Sequence, residues 1–300
     1  MKVAITGGSG LLGRMFIETY GDKYQCIVLG RSKTFTLPNQ SAIEFSYRQT
    51  DYSFESLQKT LNDADCVIHL AAKKVTNHDD GFADYVQSNL LVTSNVFEAC
   101  RLSNIDNIIF ASSRLVYSDA NQLPWFEGDD PKPINFYGIS KLGSEKLAYY
   151  YNECCQMNIK SLRFAQVVGR EVDQNERFIV KKFILNAVHK KPLTVHSGST
   201  GRREYIYIKD AVKALNCAIN SSKVRGVFNI GVGDNISSKE LAVLVNKVFG
   251  NEGNIKIVES QKIDQSVVLL DIMRAKKYLG YEPRWTLENI LFDLKHKIKL

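Results

Sequence analysis

Short apolar runs alternate with amphipathic stretches over the first half of the chain. The runs predict strands at residues 2–6, 25–29, 66–70, 108–112 and 160–164. The stretches between them predict helices at residues 11–20, 54–61, 82–102 and 135–152, with a loop over residues 30–53. Strands that are apolar on both faces and separated by helices are typical of a parallel sheet covered on both sides. Because crossovers between parallel strands are right-handed, the pattern predicts an α/β fold of the doubly wound Rossmann type.

The pattern changes after about residue 166. Helices are predicted at residues 178–189, 210–220, 239–249, 272–279 and 287–297, but strands only at 203–208 and 227–230. Ser237 and Glu240 have the spacing of an N-terminal capping box, and Gly280 is placed to end a helix. We therefore expect a dinucleotide-binding domain over residues 1–165 and a smaller C-terminal α/β domain for the substrate over residues 166–300, with a strand and a helix exchanged between them.

A glycine-rich turn joins the first predicted strand to the first predicted helix. Gly7, Gly10 and Gly13 have the spacing of a dinucleotide-binding turn. The first allows a sharp bend, the second lets the backbone approach a pyrophosphate, and the third lets the helix pack closely on the strand. The helix N-terminus directs free N–H groups and a partial positive charge at the phosphates. The turn therefore predicts that the chain binds NAD or NADP.

The second predicted strand does not end in a carboxylate, the group that binds the ribose 2′-hydroxyl of NAD in such sites. Arg31 lies there instead. Its guanidinium would pair with a 2′-phosphate, which favours NADP, and the alternative is that it stacks on the adenine of NAD. Asp51, just before the helix at 54–61, is placed to accept a hydrogen bond from the adenine amino group.

A tyrosine and a lysine lie near the start of the helix predicted at 135–152. Tyr137 and Lys141 are spaced i and i+4, so they share one helix face. A free tyrosine has a pKa of about 10. A cation beside it, together with an oxidised nicotinamide, would lower that pKa and allow the phenolate to act as a base. Lys141 can also hydrogen-bond the nicotinamide ribose.

Two serines end the strand predicted at 108–112, at the carboxyl edge where α/β sheets bind ligands. Ser113 is placed to donate a hydrogen bond to a substrate oxygen as charge develops on it. The alternative role of Ser112 and Ser113 is to cap the end of the strand. With the glycine turn and the Tyr137/Lys141 pair, the serines predict oxidation or reduction of a carbinol or ketone.

With these motifs in this order, the chain resembles the extended short-chain dehydrogenases/reductases, and among them the epimerases and dehydratases of nucleotide sugars. The resemblance extends over nearly the whole chain. Its further segments are residues 67–72, Asn89 with Thr93 and Asn95, residues 162–164, 203–208 and 228–231, and Asp271 before residues 279–283.

The resemblance implies that the C-terminal part binds the nucleotide sugar. It implies substrate contacts for Ser112, and for Gln166 and Arg203 at the diphosphate, where a guanidinium suits phosphate geometry. It also implies cofactor contacts beyond the glycines, Arg31, Asp51, Tyr137 and Lys141. The further residues for which the resemblance implies cofactor contacts are Leu11, Leu12, Tyr52, Leu70, Ala71, Ala72, Asn89 and Phe164. No metal is implied.

The chain also departs from the family pattern. Dehydratases carry an acidic pair directly after the active-site hydroxyl, where this chain has Arg114 and Leu115, which argues against 4,6-dehydration. Ser118 replaces the glycine that usually follows the tyrosine after the serine strand. Gln166 replaces the usual asparagine, and Gln261 stands where a second phosphate-binding arginine is expected. We therefore expect the chain to bind a nucleotide diphosphate more weakly than a typical member of the family does.

Three functions follow from these features. The first is a 4-epimerase of a UDP-hexose or UDP-N-acetylhexosamine, acting through a transient 4-keto intermediate. The alternative is an NAD(P)H-dependent reductase of a 4-keto nucleotide sugar, which Arg31 favours. The third is a catalytically silent dinucleotide-binding protein, against which the presence of Ser113, Tyr137 and Lys141 argues.

Composition adds expectations about location and partners. The formal charge of +7 is spread over the chain in short basic pairs. These pairs lie either on solvated surfaces or around a positively charged entrance for an anionic substrate. No run of basic residues is long enough to resemble a nucleic-acid-binding arm. No signal peptide or membrane-spanning run is evident, and the six cysteines have neither zinc nor disulfide spacing, so we expect a cytoplasmic protein. A homodimer through the helices at 82–102 and 135–152 is expected from the family.

Overall fold

The computed structural model describes residues 1–37, 43–75, 81–169, 179–260 and 263–297. Within these ranges, seven strands form one parallel sheet in the order β11-β6-β5-β4-β1-β2-β3. The strands along the chain are β1 (Lys2–Thr6), β2 (Gln25–Gly30), β3 (Phe45–Gln49), β4 (Cys66–His69), β5 (Asn107–Ser113), β6 (Asn158–Phe164), β7 (Gln166–Val168), β8 (Leu193–His196), β9 (Arg202–Arg203), β10 (Tyr205–Tyr207), β11 (Gly226–Ile230), β12 (Ile236–Ser237) and β13 (Ile255–Val258). The predicted Rossmann-type fold is confirmed.

Helices cover both faces of this sheet. They are α1 (Leu11–Tyr20), α2 (Phe54–Leu61), α3 (Phe82–Tyr85), α4 (Val92–Leu102), α5 (Phe136–Cys154), α6 (Ile179–Val188), α7 (Ile208–Asn220), α8 (Ser238–Phe249), α9 (Met273–Leu279) and α10 (Leu287–Lys297). A π-helical segment, Val86–Leu91, joins α3 to α4, and a 3₁₀ turn, Arg114–Val116, follows β5. No helix in the described ranges is long and apolar enough to span a bilayer.

Alternate residues of the central strands face two separate parts of the core. In β1, Val3 and Ile5 pack with Phe16 of α1 in one cluster. Ala4 between them belongs to a second cluster with Leu57 of α2 and Phe97 of α4. Because both faces are buried, consecutive residues of β1 are apolar, as Val3, Ala4 and Ile5 show.

The elements that the sequence analysis missed are short or lie at an edge. The loop expected over residues 30–53 is wrong in part, because it contains β3, the edge strand of the sheet. The strand Phe45–Gln49 is only half-buried and contains three polar residues, so it lacks the apolar signal of the central strands. The single helix predicted at 82–102 has a π-helical middle. The helix predicted from residue 178 is described from Ile179 onward, and residue 178 lies outside the described residues.

The strand predicted at 203–208 is interrupted at Glu204. This buried carboxylate accepts hydrogen bonds from the N–H groups of Val232, Gly233 and Leu270 at 2.6, 2.9 and 2.7 Å. The chain therefore forms two short strands, β9 and β10, and α7 already begins at Ile208.

The second half of the chain contributes to the large sheet as well as to small ones. Strand β11 pairs with β6 in the parallel sheet, while β7 pairs with β10, β8 with β13 and β9 with β12. The capping box of Ser237 and Glu240 and the left-handed Gly280 after α9 are both confirmed. The division into domains at residues 1–165 and 166–300 remains a prediction.

Candidate active site

The glycine turn lies where the strand order of the sheet reverses, between β1 and β4. Gly7 has a φ of +67°, and a Cβ atom there would lie 2.6 Å from the backbone N of Ala71 in the loop after β4. A Cβ atom at Gly13 would lie 2.5 Å from the Cα of Gly8. The first glycine thus permits the contact between two loops, and the third permits the packing of α1 on the turn. The crevice at such a reversal is the usual ligand site of open α/β sheets.

The N-terminus of α1 is open to an anion. Gly10 precedes the helix in an extended conformation, and within the described ranges no side chain caps the free N–H groups of its first turn. Leu11 and Leu12 in that turn are half-buried and pack against the core. The unpaired N–H groups and the helix dipole make this end of α1 suitable for phosphate.

A buried polar cluster holds the loop after β4 in place. The Thr6 hydroxyl accepts hydrogen bonds from the N–H groups of Leu70 and Ala71, both at 3.2 Å. It also lies 2.7 Å from Nδ1 of His69, whose Nε2 is 3.0 Å from the hydroxyl of Thr93. Burial lowers the pKa of His69 to about 3, so its ring is neutral. Ala72, the next residue in the loop, is half-buried.

Arg31 and Tyr52 lie together beside the glycine turn. Tyr52 has a φ of +66°, its hydroxyl donates to the carbonyl of Leu29 at 3.1 Å, and it accepts from the Gly7 N–H at 3.4 Å. The Arg31 guanidinium lies 5.3 Å from the centre of the Tyr52 ring. Asp51 is exposed and accepts a hydrogen bond from the Ser53 N–H at 2.8 Å, which lowers the pKa of its carboxyl.

Asn89 holds two elements of the site together. Its amide donates to the carbonyl of Lys73 at 3.2 Å and to the hydroxyl of Ser140 at 2.9 Å, and its oxygen accepts from the Lys73 N–H at 2.7 Å. Both amide hydrogens are therefore used within the protein. The residue joins the loop after β4 to α5, and the direct contact with the cofactor that the family resemblance implies for it stays a prediction.

Ser113, Tyr137 and Lys141 converge at the carboxyl end of β5. Burial raises the pKa of Tyr137 to about 12, and the nearby Ser113 hydroxyl opposes this increase. The Lys141 ammonium lies 5.7 Å from the centre of the Tyr137 ring and donates to the carbonyl of Ala111 at 2.7 Å. Burial lowers the pKa of Lys141 to about 7, although the nearby Glu145 carboxylate acts to raise it.

The start of α5 brings the tyrosine to this position. The Asn135 side chain caps the helix by accepting the Gly138 N–H at 2.8 Å. A Cβ atom at Gly138 would collide with the carbonyl oxygen of Leu115 in the 3₁₀ turn. Only a glycine after Tyr137 therefore lets α5 approach the turn that follows Ser113. The sequence analysis did not predict this role of Gly138, although a glycine in the first turn of a helix indicates a close approach of another part of the backbone.

A buried hydrogen-bond network lies next to Ser113 and Lys141. Ser112 donates to Glu145 at 2.5 Å, and Glu145 binds the guanidinium of Arg163 through contacts of 2.9, 3.2 and 2.6 Å. Arg163 donates to the Tyr117 hydroxyl at 2.6 Å, which lies 2.9 Å from Oδ1 of Asn229. The Ser112 hydroxyl, expected to contact substrate, is thus already bonded inside the protein.

Gln166 and Arg203, the residues expected at the diphosphate, belong to the short strands β7 and β9. The Arg203 guanidinium is paired with Asp264 at 2.8 Å and donates to the Ser266 hydroxyl at 2.6 Å. Gln166 is half-buried and begins β7, while Phe164 ends β6 and is buried. Gln261 lies outside the described residues. Asp264 and Ser266, which bind Arg203, also line a groove of about 430 Å³. Its other lining residues are Asp119, Asn121, Leu123, Ile263, Gln265 and Val267.

The family model described as the NAD dependent epimerase/dehydratase family matches residues 3–231. The chain belongs to this family. Its fold is shared by UDP-N-acetylglucosamine 4-epimerase from Bacillus cereus, at 33% identity and a TM-score of 0.87 over 99% of this chain and 96% of that one. UDP-glucuronic acid 4-epimerase from Bacillus cereus, solved in complex with NAD, is 26% identical, with a TM-score of 0.82 over 100% of both chains.

A reductase is also among the relatives of this epimerase/dehydratase family member. The dTDP-4-dehydro-6-deoxyglucose reductase of Escherichia coli is 26% identical over 312 residues, which cover 99% of this chain and 97% of that one. The resemblance drawn from the glycine turn, the serine strand and the Tyr137/Lys141 pair is confirmed by these comparisons.

Proposed function

We propose that this chain is a 4-epimerase of a UDP-hexose or UDP-N-acetylhexosamine. The observation that carries the proposal is the convergence of Ser113, Tyr137 and Lys141 at the sheet edge. Arg114 and Leu115 follow Ser113 directly, so the site has no acidic pair at that point to eliminate water. The UDP-N-acetylglucosamine 4-epimerase of Bacillus cereus, similar over nearly the whole chain, supports the same reaction.

The residues around the glycine turn fit a nicotinamide dinucleotide. The backbone at Gly7 and Gly10 leaves a cradle that a Cβ atom would narrow, since a Cβ at Gly10 would lie 3.2 Å from the Gly7 carbonyl. The free N–H groups of α1 would hold the pyrophosphate, and Lys141 the nicotinamide ribose. When bound, the dinucleotide would supply reversible hydride transfer at C4 of the sugar.

Tyr137 is the proposed acid and base. Its raised pKa means that the phenol keeps its proton in the protein alone, and positive charge at the site is needed to release it. As a phenolate, it removes the proton of the sugar 4-hydroxyl, while Ser113 donates a hydrogen bond to the same oxygen. The resulting ketone has no configuration at C4, so a sugar that turns in the pocket is reduced on its other face.

Replacement of the tyrosine tests the proposal. We expect Tyr137→Phe to lower turnover of the UDP-sugar by about 10²–10⁴-fold, the range for loss of a general acid–base group, with little change in cofactor binding. Tyr149→Phe, at an exposed position of the same helix, is the matched control and should retain activity. A Tyr137→Phe protein that epimerises at the wild-type rate would exclude this mechanism.

A reductase of a 4-keto nucleotide sugar is the second candidate. Arg31 at the end of β2 supports it, because a guanidinium can bind the 2′-phosphate of NADPH, as does the similarity to the Escherichia coli reductase. The two functions differ in stoichiometry. An epimerase converts its substrate without net change in absorbance at 340 nm, whereas a reductase consumes one reduced cofactor per product.

The identity of the dinucleotide follows from the same region. We propose NAD or NADP, with Arg31 favouring NADP and the NAD bound to the related glucuronic acid epimerase favouring NAD. Mass spectrometry of the dinucleotide that co-purifies with the protein distinguishes them. Tightly held NAD would support the epimerase, and a preference for added NADP would support the reductase.

We also propose a cytoplasmic homodimer with the nucleotide sugar bound between residues 1–165 and 166–300. The cysteines, all six of which the structure describes, are free, as in a reducing compartment. Leu91, Tyr149 and Tyr150, on the π-helical segment and α5, are 53%, 66% and 57% exposed and offer an apolar surface for a second copy. Light scattering of the purified protein measures this state directly.

A further inference from the structure

Two hydrogen bonds tie β5 to α5 just before the strand ends. The Lys141 ammonium donates to the carbonyl of Ala111 at 2.7 Å, and the Ser112 hydroxyl donates to the Glu145 carboxylate at 2.5 Å. Lys141 and Glu145 are one helix turn apart, and Tyr137 lies one turn before them on the same face of α5. The two contacts therefore fix the position along β5 of the helix face that carries Tyr137.

The Glu145 carboxylate is held from a second strand as well. Arg163 of β6 lies directly beside Ser112 in the parallel sheet. Its guanidinium binds both carboxylate oxygens, with Nε 2.9 Å from Oε1 and a terminal nitrogen 2.6 Å from Oε2. Because both oxygens are bonded within the protein and the side chain is buried, Glu145 is not placed to exchange a proton with a substrate. Its influence on the site passes through Ser112.

The residue after Ser112 is the hydrogen-bond donor of the proposed reaction. The Ser113 oxygen accepts the Leu115 N–H at 3.2 Å, which leaves the hydroxyl hydrogen available for a substrate oxygen. One peptide unit joins Ser113 to Ser112, so a shift of Ser112 also moves Ser113 relative to Tyr137. A displacement of about 1 Å between reacting groups lowers a rate by up to about 10²-fold.

We propose that Ser112 and Glu145 are positioning residues that hold Ser113 against Tyr137. A serine hydroxyl has one hydrogen to donate, and that of Ser112 is donated to Glu145. The inference therefore gives Ser112 a role in place of the substrate contact that the family resemblance implies. It rests on the proposed function, in which Tyr137 is the base and Ser113 the donor to the same sugar oxygen.

The pH dependence of turnover tests the inference. The Ser113 hydroxyl acts to lower the pKa of Tyr137, whereas burial and the nearby Tyr85 of α3 raise it. The Lys141 ammonium, 5.7 Å from the centre of the Tyr137 ring, is the charged group on the same helix. Turnover rises with pH as the phenolate forms. We expect Ser112→Ala to lower kcat by roughly 10–10²-fold and to move this rise to higher pH, with KM and the Kd of UDP unchanged.

Ser144→Ala is the matched control. Ser144 is a buried serine of the same helix, but its hydroxyl bonds the Ser140 carbonyl at 2.9 Å and lies 3.4 Å from the Thr93 hydroxyl, away from β5. This variant should leave the pH profile in place. If Ser112→Ala lowers turnover equally at every pH, its role is structural, and if it raises KM without a shift, it contacts the substrate. Either result, or an unchanged kcat, overturns the inference.

Removing the carboxylate tests the part assigned to Glu145. The double variant Glu145→Leu/Arg163→Met lacks the acceptor of the Ser112 hydroxyl without leaving a buried charge unpaired. It should show the same shift in pH profile as Ser112→Ala, and adding Ser112→Ala to it should cause no further shift, because both changes break one hydrogen bond. Shifts that add together would overturn the inference.

Titration of the phenol separates the inference from the proposed function. The phenolate absorbance of the NAD-loaded protein, minus that of its Tyr137→Phe counterpart, gives the ionisation of Tyr137 without turnover. Ser112→Ala should raise this pKa and Ser144→Ala should not. A wild-type protein that does not epimerise but shows this difference refutes only the proposed function. A protein that epimerises without the difference refutes only the inference.

Discussion

The buried ion pair between Glu145 and Arg163 should be the most sensitive point of the fold. Both side chains are 3% exposed, and three close contacts join them behind Lys141. Glu145→Gln would leave the guanidinium buried without its counter-charge. Breaking a buried pair in this way costs about 3–5 kcal/mol, a large part of the roughly 5–15 kcal/mol that stabilises a typical protein. At about 2 °C per kcal/mol for a chain of this size, the Tm should fall by about 6–10 °C.

Urea unfolding followed by circular dichroism measures this free energy. Glu153→Gln is the control, because Glu153 contacts Arg225 at 3.5 Å with its side chain 46% exposed, and surface pairs contribute at most about 1 kcal/mol. The double variant Glu145→Leu/Arg163→Met removes both charges and should recover most of the loss. The reasoning is refuted if Glu145→Gln costs no more than Glu153→Gln, or if the double variant is less stable than the single one.

Three further changes have defined outcomes. Gly7→Ala should weaken dinucleotide binding and lower the Tm, because φ is +67° and the new Cβ would meet the Ala71 backbone, whereas Gly81→Ala meets no atom within 4 Å and should do neither. Lys141 has a folded pKa of about 7 against about 10.4 unfolded, so the folded chain binds fewer protons and the free energy of unfolding rises by up to about 1.4 kcal/mol per pH unit between those values. Lys141→Met should lack that contribution in urea unfolding at pH 7, 8 and 9. Arg31→Asp should lower the affinity for NADP relative to NAD in fluorescence titrations; equal ratios in variant and wild type would exclude a 2′-phosphate contact.

Much of the fold could be predicted because its signals are local. The strand Lys2–Thr6 has three consecutive apolar residues, Val3, Ala4 and Ile5, because helices cover both faces of the sheet. The glycine turn could be predicted for the same reason. A Cβ atom at any of its three glycines would come too close to backbone atoms of the turn itself or of the neighbouring loop. The proximity of Tyr137 and Lys141 could be predicted because one helix turn separates them. The pattern does not extend to β3, whose residues are half-exposed at the sheet edge.

The missed features depend on contacts between distant parts of the chain. Glu145 follows Lys141 by one helix turn, but its partners Ser112 and Arg163 come from two different strands. The hydroxyl of Ser112 could be assigned to a substrate or to the protein interior only after that partner was known. Spacing along the chain carries no information on such pairs.

The position of β11 limits how the chain can be divided. This strand comes from the second half of the sequence, yet it completes the sheet of the first half by pairing with β6. A fragment that ended at residue 165 would leave the N–H and C=O groups along Asn158–Phe164 open, and such an edge invites aggregation. It would also leave the Tyr117 hydroxyl without Asn229. Residues 1–165 are therefore not expected to fold as a separate unit, and we expect the two halves of the chain to unfold together.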